Sequence, residues 1–293
     1  MPLVSVVIPA YNAAKYINET IKSVVAQTYL NWELVIVDDG STDGTAAIVK
    51  SWAEKDKRVI YVYQTNQKMA TARNTGITKG QGKYIAFLDA DNLFLPNKLE
   101  DQVAYMEAHP ECGLCYAAIR HFYEGEPSIL YTNKSESPFQ GDDLFRECLH
   151  RNFINVLSAM VRKEVFEKYG AFQPGWYACD EQYVWINLAY NGVKFEYLDK
   201  IVGLLRLHRA SDSARGDYLV RSGFYFLKMF DIVETKLTPE EKKKYAPDFA
   251  MLRKRWKFRS FIGKLMVTPP FSWVLVPLFL ARRDRNFVRV DAS

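Results

Sequence analysis

The first hundred residues alternate short apolar runs with amphipathic stretches, and this alternation constrains the fold more than any other feature. Four runs have the length and composition of strands buried on both faces: Leu3–Ile8, Glu33–Val37, Val59–Tyr63 and Tyr84–Leu88. Between the first two, Ala13–Gln27 carries its apolar residues on one helical stripe. Strands joined in this way by helices predict an α/β fold with a mostly parallel, doubly wound sheet flanked by helices.

Polar clusters follow three of these strands, at Pro9–Asn12, Asp38–Asp43 and Asp89–Asn92. In doubly wound sheets, ligands bind beyond the carboxyl ends of the strands, so we expect the three clusters to line one crevice. If the last cluster is extended, alternation directs the carboxylates of Asp89 and Asp91 to the same side. Carboxylate oxygens suit Mg²⁺ or Mn²⁺, which commonly bridge a carboxylate and substrate phosphates. The sequence therefore predicts a divalent metal at this edge.

The same acids allow other interpretations. Helix capping is the structural alternative for the acids of the second and third clusters, although it leaves the adjacent Asp38 and Asp39 unexplained. A calcium EF-hand starting at Asp89 is excluded because Leu93 and Phe94 occupy the places of a ligand and a glycine. A nicotinamide-dependent dehydrogenase needs a glycine-rich turn after the first strand, and Pro9–Ala14 contains no glycine.

Arg73 lies in a predicted helix between the third and fourth strands. Small residues surround it, including Ala70, Ala72 and Gly76, and they allow the helix to approach the sheet closely. A guanidinium offers two parallel donors and suits a diphosphate. The alternative is an ordinary surface arginine.

Together these segments resemble the family-2 glycosyltransferases, a large inverting family with a GT-A fold. The matching segments are Ser5–Asn12, Val37–Asp43, Ala72–Gly76 and Phe87–Asp91, in order and at the spacing usual for the family. The resemblance implies transfer of a sugar from a nucleoside diphosphate donor, most often a UDP-sugar, to an acceptor hydroxyl. It also implies Mn²⁺ or Mg²⁺ as cofactor.

The resemblance assigns roles to individual residues of the nucleotide-binding half. Pro9 and Tyr11 are expected to line the nucleobase pocket, and Asp39 is expected to contact the base or the ribose. Arg73 is expected near the diphosphate, and Asp89 is expected to help hold the nucleotide.

Metal ligands are also implied by the resemblance. Asp91, the last acid of the DxD-like motif, is the expected ligand, and His208 within Leu205–Ser213 matches a stretch that often supplies a metal-binding histidine. A packed or exposed histidine is the alternative. Two positions depart from the family pattern: Asn92 replaces an acid, and Lys68 replaces a glycine. We interpret Lys68 as a solvated lysine, with a phosphate contact as the alternative.

The segment Asp180–Gly192 looks like the acidic helix start that carries the catalytic base in this family. The usual order of Glu then Asp is reversed, since Asp180 precedes Glu181. By position Glu181 is the expected base, with Asp180 as the other candidate. Both acids would also stabilise a helix N-terminus.

The C-terminal region is basic and then apolar. Arg253–Lys264 contains six basic residues and no acid, and the stretch from Lys264 to Arg282 is uncharged between its ends. Three prolines interrupt that stretch, Pro269, Pro270 and Pro277, so it favours a position in the membrane interface over a spanning helix. Packing on the catalytic domain is the alternative. The cationic surroundings indicate an anionic membrane surface as partner before a nucleic acid.

The predicted organisation is a nucleotide-sugar-binding half at 1–95, an acceptor-binding half of the same catalytic domain at 96–213, and a helical C-terminal extension at 214–293. Four cysteines are too few for a disulfide framework in 293 residues, and the N-terminus lacks the features of a signal peptide. We therefore expect a cytoplasmic protein, peripheral on the inner face of the cell membrane, acting on a glycan or lipid-linked acceptor. A sugar-phosphate nucleotidyltransferase and a catalytically inactive membrane-binding scaffold remain as alternatives.

Overall fold

The computed structural model describes residues 1–125, 129–134, 139–176, 178–208 and 218–267. The chain divides into two compact units. The first comprises residues 1–176 and 180–206, and the second comprises residues 177–179 and 207–293. The boundaries predicted at residues 95 and 213 stay predictions.

The first unit begins with the parallel half of a sheet. Its strands are β1 (Val4–Ala10), β2 (Trp32–Asp39), β3 (Val59–Gln64) and β4 (Tyr84–Phe87), in the order β3-β2-β1-β4. The crossovers contain α1 (Ile17–Val25), α2 (Thr45–Lys55) and α3 (Lys68–Lys79). Every residue of β1 and β2 is buried, which explains why most residues of these strands are apolar. This half confirms the predicted parallel α/β arrangement.

Two glycines fix how closely α3 and the chain after it approach β1. A Cβ on Gly76 would lie 2.2 Å from Val7 Cγ1, and one on Gly82 would lie 2.5 Å from the main-chain nitrogen of Ser5. Neither position has room for a side chain, so the helix lies directly on the sheet. Because α3 carries Arg73, this close packing sets the depth at which its guanidinium lies.

The remaining strands extend the sheet in antiparallel fashion. They are β5 (Leu93–Phe94), β6 (Cys112–Tyr123), β7 (Ile129–Asn133), β8 (Met160–Arg162) and β9 (Lys194–Leu207). Beyond β4 the order is β8-β6-β9-β5, with β7 paired to β6. The parallel prediction therefore holds for β1–β4, while β4–β8, β6–β8, β6–β7 and β5–β9 are antiparallel pairs.

Helices of the first unit after β4 are α4 (Lys98–Ala108), α5 (Gly141–His150), α6 (Lys163–Tyr169) and α7 (Asp180–Tyr190), with a 3₁₀ turn at Val156–Ser158. The sequence did not predict α5 or α6. α7 is almost wholly buried, from Gln182 to Ala189 without interruption. A helix enclosed in this way holds the side chains at its first turn in fixed positions.

The second unit contains a helical hairpin of α8 (Tyr218–Lys236) and α9 (Pro239–Val267). Phe226 stacks on Trp256 with ring centroids 3.6 Å apart, and a Cβ on Gly263 would lie 2.8 Å from Leu219 Cβ. Within the described ranges, no helix combines the length and apolar character needed to cross a bilayer. The segment predicted to lie in a membrane interface falls, apart from its first residues, outside the described residues.

Candidate active site

The carboxylate of Asp39, at the end of β2, binds the start of α3. Asp39 Oδ1 accepts hydrogen bonds from Gln64 Nε2 at 2.7 Å and from the Gln67 main-chain nitrogen at 2.8 Å. Asp39 Oδ2 accepts one from the Lys68 main-chain nitrogen at 2.9 Å. A carboxylate offers about four lone-pair positions, so these three bonds leave room for one further donor. The predicted contact with base or ribose stays a prediction.

Lys68 adopts a φ of 75°, in the left-handed region. Side chains with a Cβ are disfavoured there by roughly 1–2 kcal/mol, whereas glycine is not. This conformation gives a physical reason for the glycine that the family often has at this position. The side chain of Lys68 is exposed.

The loops after β1 and β2 are tied together. Asn12 donates its main-chain N–H to Ser41 Oγ and accepts the N–H of Thr42 on Oδ1, at 3.0 and 2.8 Å. Nearby, the Ala14 N–H donates to Asp43 Oδ2 at 3.0 Å. Of the two residues expected to line a nucleobase pocket, Pro9 is buried within β1 and Tyr11 is 55 % exposed on the loop.

Arg73 is the centre of an ion cluster. It is 1 % exposed and donates from Nη1 to Asp180 Oδ2 at 2.6 Å and from Nη2 to Asp89 Oδ1 at 2.8 Å. Glu181 Oε1 lies 3.6 Å from Nη2. Burial alone would lower the pKa of Arg73, but the three carboxylates outweigh it and raise the pKa, so the guanidinium stays charged. Arg73 therefore holds together acids that come from two separate parts of the sequence, the turn after β4 and the start of α7.

The prediction that Asp89 and Asp91 lie in extended backbone is wrong. The Asn92 N–H donates to the Asp89 carbonyl at 3.0 Å, which closes a turn directly after β4. Asp89 is directed to Arg73, as described above, while the main-chain carbonyl of Asp91 accepts a bond from Arg206 Nε at 2.9 Å. Asn92 Oδ1 in turn accepts the main-chain N–H of Arg206 at 2.9 Å. Two hydrogen bonds from Arg206, on β9, thus hold the turn that contains the DxD-like motif.

Glu181, in the first turn of α7, is the less engaged of the two candidate bases. Its Oε2 accepts weak hydrogen bonds from the Val156 N–H at 3.3 Å and from Asn152 Nδ2 at 3.4 Å. Its side chain is 19 % exposed, compared with 11 % for Asp180, which is bound at 2.6 Å to Arg73.

Burial raises the pKa of Glu181 to about 7. Arg73 opposes this effect, while the neighbouring Asp180 and Asp89 add to it. A carboxylate with a pKa near neutrality, close to a partly open surface, is suited to accept a proton. This arrangement favours Glu181 over Asp180 as the base.

Whether the residues predicted as ligands fit a divalent metal depends on how many protein ligands that metal requires. In the part of the chain that the structure describes, no group of three or more His, Cys, Asp or Glu side chains is arranged to hold one. Mg²⁺ and Mn²⁺ usually take one or two protein carboxylates and complete their shell with phosphate oxygens and water. The partly exposed Asp91 fits such a site, in which the metal arrives with a diphosphate. His208 follows β9 in the second unit, and its predicted role as a ligand stays a prediction.

Sequence reasoning missed the partners of these residues. Arg73 was predicted near a diphosphate, a role that stays a prediction, but its pairing with the acids of α7 spans 107 positions. Asn152 and Val156 were not singled out, and neither was Arg206. The one available signal was Arg206 itself, a charged residue inside the apolar stretch Ile201–Leu207.

Sequence comparisons define the class. A model of the family described as "Glycosyl transferase family 2" matches residues 5–170, more than half of the chain. The chain belongs to this family. It is 36% identical over 165 residues to TuaG of Bacillus subtilis (strain 168), a protein named for teichuronic acid biosynthesis, covering 56% of this chain and 63% of TuaG. It is 48% identical over 107 residues to an uncharacterized glycosyltransferase of Haemophilus influenzae, covering 36% of this chain and 43% of that protein.

Solved structures agree on the fold. Residues 1–349 of TarS from S. aureus, in complex with UDP-GlcNAc, give a TM-score of 0.68 at 18% identity, covering 92% of this chain and 77% of that one. The mannosyltransferase PcManGT from Pyrobaculum calidifontis, in complex with GDP-Man and Mn²⁺, gives 0.64 at 19% identity, covering 98% and 82%. These likenesses support the GT-A fold of a family-2 glycosyltransferase.

Proposed function

We propose that this chain transfers a sugar from a nucleoside diphosphate donor, a UDP-sugar, to an acceptor hydroxyl with inversion at the anomeric carbon. One observation carries the proposal: Glu181, with its pKa raised to about 7, lies beside the buried cluster of Arg73, Asp89 and Asp180. Such a cluster is typical of a functional site, because gathering three partly buried acids around one buried cation is costly. Proton abstraction from an acceptor hydroxyl is a reaction that it can perform.

The donor is bound along the strand ends. Tyr11 offers an exposed ring for a nucleobase, and the buried Pro9 fixes the end of β1 from which the Tyr11 loop departs. Asp39, already oriented by three donors, offers its remaining lone pair to a ribose hydroxyl or a base N–H. Arg73 is held in place at the diphosphate side, and Asp89 is oriented by it.

Catalysis follows from the position of the charges. Glu181 accepts the proton of the acceptor hydroxyl as the oxygen attacks the anomeric carbon. Asp180 keeps Arg73 in position, and the cation limits how far the pKa of Glu181 rises. Asp91 would hold the Mn²⁺ or Mg²⁺, which supplies Lewis-acid stabilisation of the leaving diphosphate when bound. The Arg206 bond to its main chain keeps Asp91 in place.

The acceptor is a glycan, lipid-linked or at the cell surface, and the protein acts at the inner face of the cell membrane. Support comes from the six basic residues from Arg253 to Lys264 and from the name of TuaG, which refers to teichuronic acid biosynthesis. UDP as the nucleotide is supported by the UDP-GlcNAc complex of TarS, with the GDP-Man complex of PcManGT as the alternative.

The first test is a thermal-shift titration with UDP, GDP, CDP and NAD, each with and without Mn²⁺, on the wild type and on Asp91→Ala. We expect saturable, metal-dependent stabilisation by one nucleoside diphosphate that is lost in Asp91→Ala. No response to any diphosphate would contradict the proposal. Formation of a nucleotide-sugar from a nucleoside triphosphate and a sugar phosphate would favour the nucleotidyltransferase alternative. Donor binding without turnover on any acceptor would favour the scaffold.

A further inference from the structure

The outer face of α9 carries large apolar side chains that are exposed. Met251, Phe258 and Phe261 are 49, 63 and 56 % exposed. Positions 251, 258 and 265 are seven apart, and 261 is one turn from 258 and 265, so these residues share one helical face. We call them, with Leu265, the α9 stripe. It extends from Met251 to Leu265, about 21 Å along the helix axis.

The other side of α9 packs on α8. Phe249 and Leu252 are buried, Trp256 stacks on Phe226, and Gly263 lies against Leu219. The exposed stripe is therefore additional to the surface that stabilises the hairpin. The hairpin has no need of it for its own packing, and exposed aromatic side chains in a line usually mark an interaction surface.

Cations on the two sides of α9 differ in their partners. Arg253, on the α8 side, binds Asp231 and Glu234, with Nη2 at 2.6 Å from an oxygen of each. Lys254, Arg255 and Lys257 are exposed, and none of them forms an ion pair with any described residue. No acidic residue occurs between Phe249 and Val267. The positive charge beside the α9 stripe is therefore not compensated by an acid within the same part of the helix, from Phe249 to Val267.

We propose that the α9 stripe and its flanking cations dock on an anionic lipid surface. This proposal deepens the proposed function, on which it rests for the choice of membrane as partner. Aromatic and apolar side chains in a row enter the boundary between headgroups and acyl chains, while lysine and arginine beside them pair with lipid phosphates. The docking surface thus lies within the described hairpin. It ends before Pro269, the first of the three prolines in the apolar stretch.

The test measures co-sedimentation of the full chain with vesicles of phosphatidylglycerol and phosphatidylcholine, and with vesicles of phosphatidylcholine alone. We compare the wild type with Phe258→Ser/Phe261→Ser and with Lys254→Glu/Lys257→Glu. The matched control is Leu30→Ser, which removes an apolar side chain 68 % exposed in the first unit. We expect each double variant to lower the partition coefficient on anionic vesicles by about tenfold or more, and the control to leave it unchanged. Binding of the wild type should weaken with added salt.

Several outcomes would overturn the proposal. Wild-type binding that is equal on neutral vesicles, or unchanged in both double variants, would do so. Binding lost only on deletion of residues 268–293 would assign docking to that segment. A halved mass of Phe258→Ser/Phe261→Ser by light scattering would identify the stripe as a contact between two copies.

Failure of this proposal is distinguishable from failure of the proposed function. All substituted side chains are exposed, so the variants should melt within a few degrees of the wild type, which the same thermal scan records. The UDP-induced shift reports on the strand-end site and should persist in every variant. Loss of lipid binding with an intact UDP shift supports the proposal, and an absent UDP shift in the wild type contradicts the proposed function alone.

Discussion

Arg73 and Lys98 are equally buried, each 1 % exposed, but the protein treats the two cations in opposite ways. Arg73 is surrounded by three carboxylates, which raise its pKa. Lys98, in the first turn of α4, donates to two neutral acceptors among the described residues: Gln102 Oε1 at 2.6 Å and the Ser158 carbonyl at 3.4 Å.

Burial lowers the pKa of Lys98 to about 7. The comparison shows that burial alone does not decide the charge state of an interior cation, because the counter-charges around it do. A buried cation keeps its charge where carboxylates surround it. A buried lysine among neutral groups is deprotonated more easily, because nothing offsets the cost of burying its charge.

Replacing Arg73 should have the largest effect. Arg73→Met leaves three acids crowded in the interior, so we expect the free energy of unfolding at pH 8 to fall by about 3–5 kcal/mol, measured by urea denaturation. Donor turnover should fall by about a thousandfold or more. Arg73→Lys keeps the charge but cannot span two carboxylates, so it should be intermediate. A loss of under about 1 kcal/mol in Arg73→Met would show that the cluster is not held by this cation.

Glu181→Gln should remove the base and leave the fold intact. We expect kcat to fall by about 10²–10⁴ while the UDP-induced thermal shift is retained. The control is Glu167→Gln, the same change on a carboxylate whose side chain is 63 % exposed on α6, which should not alter kcat. If Asp180→Asn lowers kcat as much and Glu181→Gln does not, the base is Asp180.

The pH dependence of activity and stability should reveal the raised pKa of Glu181. A base must be deprotonated, so kcat/KM should rise with pH and level off above an inflection near about 7. The folded state also binds more protons than the unfolded chain between pH 4.5 and about 7, so the contribution of Glu181 to stability is lost as pH rises through that window. Both dependences should vanish in Glu181→Gln, and an acid limb that persists there would assign the inflection to another group.

Lys98 should produce the opposite slope. Its ordinary pKa is 10.5 and its pKa in the folded protein is about 7, so between these values the unfolded chain binds more protons. Stability should therefore rise with pH, by about 2 kcal/mol between pH 7 and pH 9. Lys98→Met should flatten the rise and leave turnover within about threefold. Urea denaturation at pH 7 and pH 9 measures this rise. If the free energy of unfolding of Lys98→Met rises as much as that of the wild type, Lys98 reaches water and stays charged.

Lys68 gives the smallest expected effect and extends the comparison to an exposed cation. Lys68→Gly relieves the left-handed conformation and keeps the main-chain N–H that binds Asp39, so we expect a gain of about 0.5–1 kcal/mol in stability. The affinity for UDP should stay within about threefold. A much weaker affinity for UDP would instead show that the ammonium contacts the diphosphate.

The parallel half of the sheet was predictable because its signals are local. Strands buried on both faces show as mainly apolar runs, and β1 and β2 are of this kind. β9 is different, because Asp199 and Lys200 interrupt its apolar pattern. In the structure these two residues are exposed on a continuous strand, where polar side chains cost nothing.

The composition of the site was predictable, but its pairings were not. Asp89, Arg73 and Asp180 were each singled out from a local motif. No sequence pattern indicates that Arg73 reaches the start of α7, because that contact depends on how α3 and α7 pack. The closed turn after β4 was missed for a similar reason, since alternation alone does not show where a strand ends.

The bonds that join the loops after β1 and β2 have a consequence for engineering. Asn12 accepts a hydrogen bond from Thr42 and donates one to Ser41, so the conformation of each loop depends on the other. An attempt to change the donor by transplanting the loop with Tyr11 from a relative would leave Ser41 and Thr42 without their partner. The two loops should therefore be transplanted together. A graft of both should keep the hydrogen bonds between them and with these the loop conformation, whereas a graft of one loop would not.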